Sequence, residues 1–239
     1  MRRLVTIIMA VVVLSAATAS GTIWYVPDGF DTIQLGIDSI PDGDTLIVRE
    51  STYYENLNFN GHNIVLASLF LLDQEPVHIE STIIDGSESS SVITFEGGED
   101  STAQVVGFTI QRGRTTGAGG GICCSNSNPT ISDNTITGNT ADYGGGIACY
   151  DGSDATISGN TISGNSAGPW GGLSNGGGGI YCANSSPTIA ANTISGNYAN
   201  RYGGGVYCCP SSNPTITGNT ISDNCVDDYG GGINCRYSS

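Results

Sequence analysis

Three glycines followed by a branched aliphatic residue occur five times in this chain, immediately before Ile122, Ile147, Ile180, Val206 and Ile233. Glycine loses more backbone freedom on ordering than any other residue, so five such triplets imply a steric need that recurs. The intervals are 25, 33, 26 and 27 residues, and the long one carries an insertion at about residues 168–175 (GPWGGLSN). Two further signatures keep the same step. Pro-Thr-Ile, once Ala-Thr-Ile, ends at Ile131, Ile157, Ile189 and Ile216; Asn-Thr-Ile-x-[Gly/Asp]-Asn begins at Asn134, Asn160, Asn192 and Asn219. One period upstream, residues 105–113 (VVGFTIQRG) fit both, with Phe108 in place of Asn. Three signatures in one register mean a solenoid.

The two isoleucines of each repeat, such as Ile131 and Ile136, are five positions apart. An uninterrupted strand would point them to opposite faces. Burying both requires a bend, and the Asn two residues before the second Ile tolerates the left-handed backbone of a sharp one. Each repeat therefore reads as strand, Asn bend, strand, longer turn, strand. That is an all-β parallel β-helix with three short strands per coil of about 26 residues. A leucine-rich horseshoe would need a helical or Leu-rich segment, which is absent. Equivalent Asn side chains should form ladders between coils. The glycine triplet falls where the long turn enters the third strand, as a tight corner that leaves a shallow groove along the stack.

Two residues after each post-triplet aliphatic stands a cysteine: Cys124, Cys149, Cys182, Cys208 and Cys235. Spacing of two means one face, so these should form an inward column with a step of roughly 4.8 Å. Parallel side-chain vectors favour free thiols over bridges between neighbouring coils, and both readings stay open. A linear column without histidine does not make a tetrahedral metal site. Cys123, Cys209 and Cys225 fall off the column and are expected outside.

Residues 1–19 have the layout of a secretory signal peptide: Arg2-Arg3, an apolar run at 4–14 and small residues through Ala19. The run is too short to span a bilayer, and nothing later resembles a transmembrane segment, so the chain is expected to be secreted or held at the cell surface. Residues 20–68 read as an N-terminal cap and first coil. Thr32 to Ile40 forms a short helix with Ile33, Ile37 and Ile40 on one face, capped by Asp31 or Thr32; it would cover the open end of the stack. Residues 69–239 are repeats, regular from about 103. The chain stops at Ser239 just after a triplet strand, where a Pro-Thr-Ile strand should follow, and so reads as truncated at its C-terminus. The formal charge is −15 and there is no lysine. Such a surface repels nucleic acid and anionic lipid, and disfavours an acidic polymer unless cations bridge the two.

Residues 31–48 (DTIQLGIDSIPDGDTLIV) and 52–57 (TYYENL) resemble the N-terminal segment of secreted right-handed parallel β-helix proteins of the pectin-lyase-like superfamily. Residues 81–86 (STIIDG), 107–113 (GFTIQRG) and 128–139 (NPTISDNTITGN) look like its bacterial repeat-containing members. The GGGI and TIxxN pairing is also similar to the GGAI and FxxN repeats of chlamydial polymorphic outer-membrane proteins, with Ile in place of Phe. The resemblance implies a right-handed coil and a site on the triplet strand and the turn before it. Enzymes of the group cleave acidic polysaccharides, the lyases with Asp-bound calcium and an Arg or Lys base, the hydrolases with two or three close Asp.

At those positions Asp142, Arg201 and Asp228 form one column, and these are the catalytic candidates. Tyr143, Tyr202 and Tyr229 form another. The outward strand positions hold Cys123, Ala148, Tyr181, Tyr207 and Asn234, and Trp170 in the insertion should overhang the same side. The five tyrosines and Trp170 make a strip suited to stacking on sugar rings; equally, the tyrosines could stack only on one another. The HG and RIK signatures of the hydrolases and the nonapeptide calcium repeat are absent, so no cofactor is expected, with calcium an open alternative that no motif supports. His62 and His78 read as surface residues. Two functions stand: a non-catalytic surface, adhesive or glycan-binding module, or a polysaccharide lyase or glycoside hydrolase. Nothing in the sequence sets an oligomeric state.

Overall fold

The computed structural model describes residues 21–168, 176–209 and 211–236. The signal-like segment 1–19 and Trp170 lie outside the described residues. Among the described residues every strand pairing is parallel, and apart from the first pair, Ile23–Val26 with Thr45–Val48, neighbours lie three or four strands apart in sequence, the connectivity of a parallel β-helix. The Pro-Thr-Ile strands belong to an eight-stranded sheet that starts at Ile23–Val26 and ends at Thr215–Thr217. The Asn-Thr-Ile strands belong to a seven-stranded sheet running from Ser51–Tyr53 to Thr220–Ser222. The glycine-led strands form a second seven-stranded sheet, from Leu57–Asn58 to Ile233–Cys235.

Beside the three expected strands each regular coil carries a fourth, of two residues: Thr140–Ala141, Ser166–Ala167, Tyr198–Ala199 and Cys225–Val226. It lies between the second strand and the triplet, with Ala141, Ala167 and Ala199 fully buried. Among the described residues no helix is long and apolar enough to cross a membrane.

The register is the one the repeat dictates. Ile131, Ile157, Ile189 and Ile216 are successive partners, as are Ile136, Ile162, Ile194 and Ile221. Cys124, Cys149, Cys182, Cys208 and Cys235 pair in the same way. The first four are fully buried among the isoleucines. Cys235 is exposed, because no coil covers the last described one. All eight cysteines are free thiols. Cys123 stands on the outward side of its strand, as expected, but is largely covered there, with its Sγ 3.5 Å from the Tyr150 hydroxyl; Cys209 is half-buried and Cys225 exposed.

The bend works differently from the expectation. The left-handed residue is the one before the asparagine: Asp133, Gly159, Ala191 and Gly218, with φ of 56°, 68°, 56° and 63°. The asparagine itself turns its amide inward. Asn134 N–H donates to Asn160 Oδ1 at 2.9 Å, Asn160 N–H to Asn192 Oδ1 at 2.9 Å and Asn192 N–H to Asn219 Oδ1 at 2.8 Å. Each Nδ2 donates to a carbonyl one coil back, at Val105, Ile131, Ile157 and Ile189. A second ladder runs from the Gly113 amide through Asn139, Asn165 and Asn197 to Asn224. These ladders satisfy buried backbone groups at two corners that strand pairing leaves open.

The triplet at 144–146 shows why three glycines are needed. Gly144 has φ of +63°. A Cβ on Gly145 would run into the Ser166 backbone, and one on Gly146 would lie 2.6 Å from the Gly179 oxygen. Amides of 144–146 donate to the carbonyls of Gly176, Gly177 and Gly178 at 3.1 Å each. Backbone is stacked directly on backbone.

The N-terminal helix, Ile33–Ser39, is capped by Thr32, whose hydroxyl accepts from Leu35 N–H at 3.2 Å. The Glu55 carboxylate accepts the Ile33 and Gln34 amides, both at 3.0 Å. Ile33, Ile37 and Ile40 close the end of the core. Two further short helices, Phe70–Asp73 and Val77–Ser81, pack outside the first sheet over Ile47, Ala67 and Val106. There His78 stands between Glu50 (2.6 Å) and Asp73 (3.0 Å).

Candidate functional site

Strand parity sends alternate residues of the glycine-led sheet outward. Register makes those positions one straight column: Asn58, Thr94, Cys123, Ala148, Tyr181, Tyr207 and Asn234. Beside it runs the turn column just ahead of the glycines, with Ala118, Tyr143, Gly176, Tyr202 and Tyr229 bridged in sequence. The five tyrosines join into one aromatic run that crosses between the columns. Ring centroids are 5.1 Å apart for Tyr143–Tyr181, 5.8 Å for Tyr181–Tyr207, 5.1 Å for Tyr207–Tyr202 and 5.8 Å for Tyr202–Tyr229. Both the tilted and the stacked pairs lie within favourable aromatic geometry.

Burial separates the rings into two roles. Tyr207 and Tyr202 are only 3% and 7% exposed, so they support the run from beneath. Tyr143 and Tyr181 are half-buried and keep ring surface toward solvent. They line a cleft of about 410 Å³ with Tyr150, Asp151, Gly117 and Ala118. A second cleft of about 420 Å³ shares Gly117, Ala118 and Tyr150 with the first, and continues toward the N-terminal coils past Cys123, Thr94, Glu96 and Asn58. Together they form one groove. Its far end is amide- and hydroxyl-rich; its near end is aromatic. A third cleft, of about 460 Å³, lies past Tyr202 between Arg201, Tyr229, Asn234 and Arg236.

Burial pushes the Tyr150 phenol up to about 12, reinforced by its contact with Cys123. Burial likewise raises Tyr181 and Tyr207, with contributions from Cys209. All three stay neutral at physiological pH. Burial also raises the Asp142 carboxyl.

The catalytic candidates do not assemble. Arg201 Nε bonds Asp228 Oδ2 at 3.0 Å, in adjoining coils. Asp142 is two coils from Arg201, about 10 Å along the axis by strand spacing. Arg201 and Arg236 flank the Tyr202 ring, at 5.5 Å and 5.0 Å from its centre, and Arg236 also donates to its hydroxyl at 2.7 Å. Among the described residues no group of three His, Cys, Asp or Glu side chains stands together as metal ligands.

Several lining residues were not singled out from the sequence: Asn58, Thr94, Glu96, Tyr150 and Arg236. Tyr150 was within reach, since it follows inward Cys149 and must point out. Asn58 and Thr94 belong to coils without a glycine triplet, so no motif places them in register. No curated protein and no solved structure matches this chain. The family model for the right-handed beta helix region matches residues 58–239, well over half the chain, and the protein belongs to that right-handed β-helix family.

Proposed function

We propose that this protein is an exported, non-catalytic β-helix whose glycine-led face binds glycans at a cell or matrix surface. The observation that carries the reading is the groove beside the tyrosine run, where Tyr143, Tyr150 and Tyr181 border a cleft of about 410 Å³ and Asn58, Thr94 and Glu96 continue its line. Sugar rings present apolar faces that stack on aromatic rings and hydroxyls that need hydrogen-bond partners, and such a groove offers both. Export is supported by the signal-like residues 1–19. The lyase or hydrolase reading has less support, because Arg201, its candidate base, is engaged by Asp228, and Asp142 stands apart from both.

A glycan array probed with the purified protein tests the proposal. Binding should fall in Tyr181→Ala and Tyr143→Ala but persist in Tyr198→Ala, whose exposed ring lies on the small fourth sheet. Release of reducing sugar or unsaturated product, abolished by Arg201→Ala, would refute the non-catalytic reading.

A further inference from the structure

Resting on the glycan-binding reading, we infer that the groove takes an uncharged, extended polysaccharide lying along the helix axis, and discriminates against polyuronates. The two joined clefts contain the carboxylates Glu96 and Asp151 and no arginine. The chain has no lysine. Of the described arginines outside these clefts, Arg49 pairs with Asp28, Arg112 with Asp85 and Glu88, Arg114 with Glu88 and Arg201 with Asp228, while Arg236 bonds the Tyr202 hydroxyl in the separate cleft past Tyr202. A polyanion entering the groove meets a carboxylate in each of the two clefts and no arginine in either. Like-charge juxtaposition is how a surface rejects wrong partners.

Shape supports an extended chain. Asn58, Thr94, Cys123, Ala148 and Tyr181 follow one another in strict register, a straight line about 19 Å long at the usual strand spacing, and all but the fully buried Ala148 line the clefts. An extended β-1,4-linked glycan advances by close to one coil step per sugar. Its repeat therefore stays in phase with the coils, with Cys123 leaving room and a ring waiting at Tyr181. Asn58 Nδ2 holds Glu96 Oε1 at 2.8 Å, so this carboxylate is fixed as a hydrogen-bond acceptor for sugar hydroxyls.

Isothermal titration with cellohexaose, mannohexaose, xylohexaose and hexagalacturonate tests this, each with chelator and with calcium. At least one neutral hexamer should bind about tenfold or more tighter than hexagalacturonate, and about tenfold tighter than its own disaccharide. Its affinity should be nearly unchanged between low and high salt, because no ion pair is formed. The double variant Glu96→Lys, Asp151→Lys should raise hexagalacturonate affinity about tenfold or more. Hexagalacturonate binding as tightly as the neutral hexamers, with or without calcium, would overturn the neutral class and leave the glycan site standing. Neutral binding that survives Tyr181→Ala, in protein with an unchanged circular dichroism spectrum, would move the ligand off the groove and overturn the inference too. No binding by any of the four would overturn the glycan-binding reading itself.

Discussion

Replacing Asn160 by Ala is the sharpest probe of how the coils are held together. Asn160 is 1% exposed in the middle of the first ladder. Its Oδ1 accepts from the Asn134 backbone amide at 2.9 Å and from Asn134 Nδ2 at 3.1 Å; its own Nδ2 donates to the carbonyls of Ile131 (2.9 Å) and Ser158 (3.0 Å) and to Asn192 Oδ1 (3.0 Å). Alanine leaves the buried Asn134 amide without its acceptor, at about 1–3 kcal/mol, and removes further bonds each worth about 0.5–1.5 kcal/mol net. Asn134 Nδ2 keeps Val105 and Ser132, and Asn192 Oδ1 keeps the Asn160 amide, so not every lost bond strands a partner. The sum is a loss of about 3–5 kcal/mol, large against the stability of a domain this size. Asn219 makes the same kind of contacts but is only partly buried in the last described coil. Water can replace what Asn219→Ala removes, and that variant should lose about 1 kcal/mol or less. Urea unfolding followed by circular dichroism reads both, with the m-value showing whether the stack still melts as one unit. A loss below about 1 kcal/mol at Asn160, or equal losses at the two sites, would show that the ladders do not bear the load argued for them.

Three other perturbations separate packing from titration. Gly146→Ala would place a Cβ 2.6 Å from the Gly179 oxygen and should destabilise by about 1–3 kcal/mol through overpacking, whereas Gly138→Ala meets open space and carries only its left-handed φ of 64°, about 1 kcal/mol; urea midpoints should rank them in that order. Thiol reagent should label Cys225 and Cys235 at once and Cys124, Cys149 and Cys182 only on unfolding, since the last three are fully buried and the Cys124 and Cys182 thiols are raised by the neighbouring thiol and by burial; fast mass shift at Cys149 in native protein would break the column. Burial alone would lower His78, but its bonds to Glu50 and Asp73 outweigh that and hold it above its ordinary value, so its stabilising ion pairs are complete below about pH 6.5 and lost as pH rises through the raised value; imidazole NMR titration should find that rise, and His78→Gln should flatten the corresponding fall in melting temperature.

The sequence carried the stacked core because register there depends on one repeated decision. An Ile five residues from another, and a Cys two residues after an aliphatic, put the same atoms in the same place in every coil. Other features have no such periodic mark. The left-handed corner is held by Asp133, Gly159, Ala191 and Gly218 in turn, four unlike residues among which Ala191 gives no hint of positive φ. Two-residue strands such as Thr140–Ala141 are too short to show alternation. The helices Phe70–Asp73 and Val77–Ser81 span about one turn each, too little for a 3.6-residue period to register. A third ladder, of serines, was also missed. Ser127 N–H donates to Ser153 Oγ and Ser153 N–H to Ser185 Oγ, and the chain begins at Glu99, whose carboxylate accepts Ser127 Oγ at 2.6 Å with the Gly61 and Gly97 amides. Its serines do carry a periodic mark, since Ser127, Ser153 and Ser185 each stand four residues before the Ile of Pro-Thr-Ile or Ala-Thr-Ile, but a serine two residues ahead of that motif reads as an ordinary loop residue.

The aromatic run and the glycine corners are one device. In the turn column the coil between Tyr143 and Tyr202 has Gly176. A Cβ there would lie 2.5 Å from Tyr207 Cδ1 and 3.0 Å from Tyr202 Cβ. The space a side chain would have taken is filled by Tyr207, reaching over from the strand column of the next coil. That lean brings Tyr207 to Tyr202 on one side and to Tyr181 on the other, and so joins two short columns into a continuous run. With tyrosine at every turn position the two columns would stand apart, each stacked on itself. The groove follows from the same subtraction: Gly117 carries no side chain and Ala118 and Ala183 carry small ones, so Tyr150 and the Tyr143–Tyr181 pair border open floor. A repeat built for backbone stacking thus also leaves a groove along its glycine-led face.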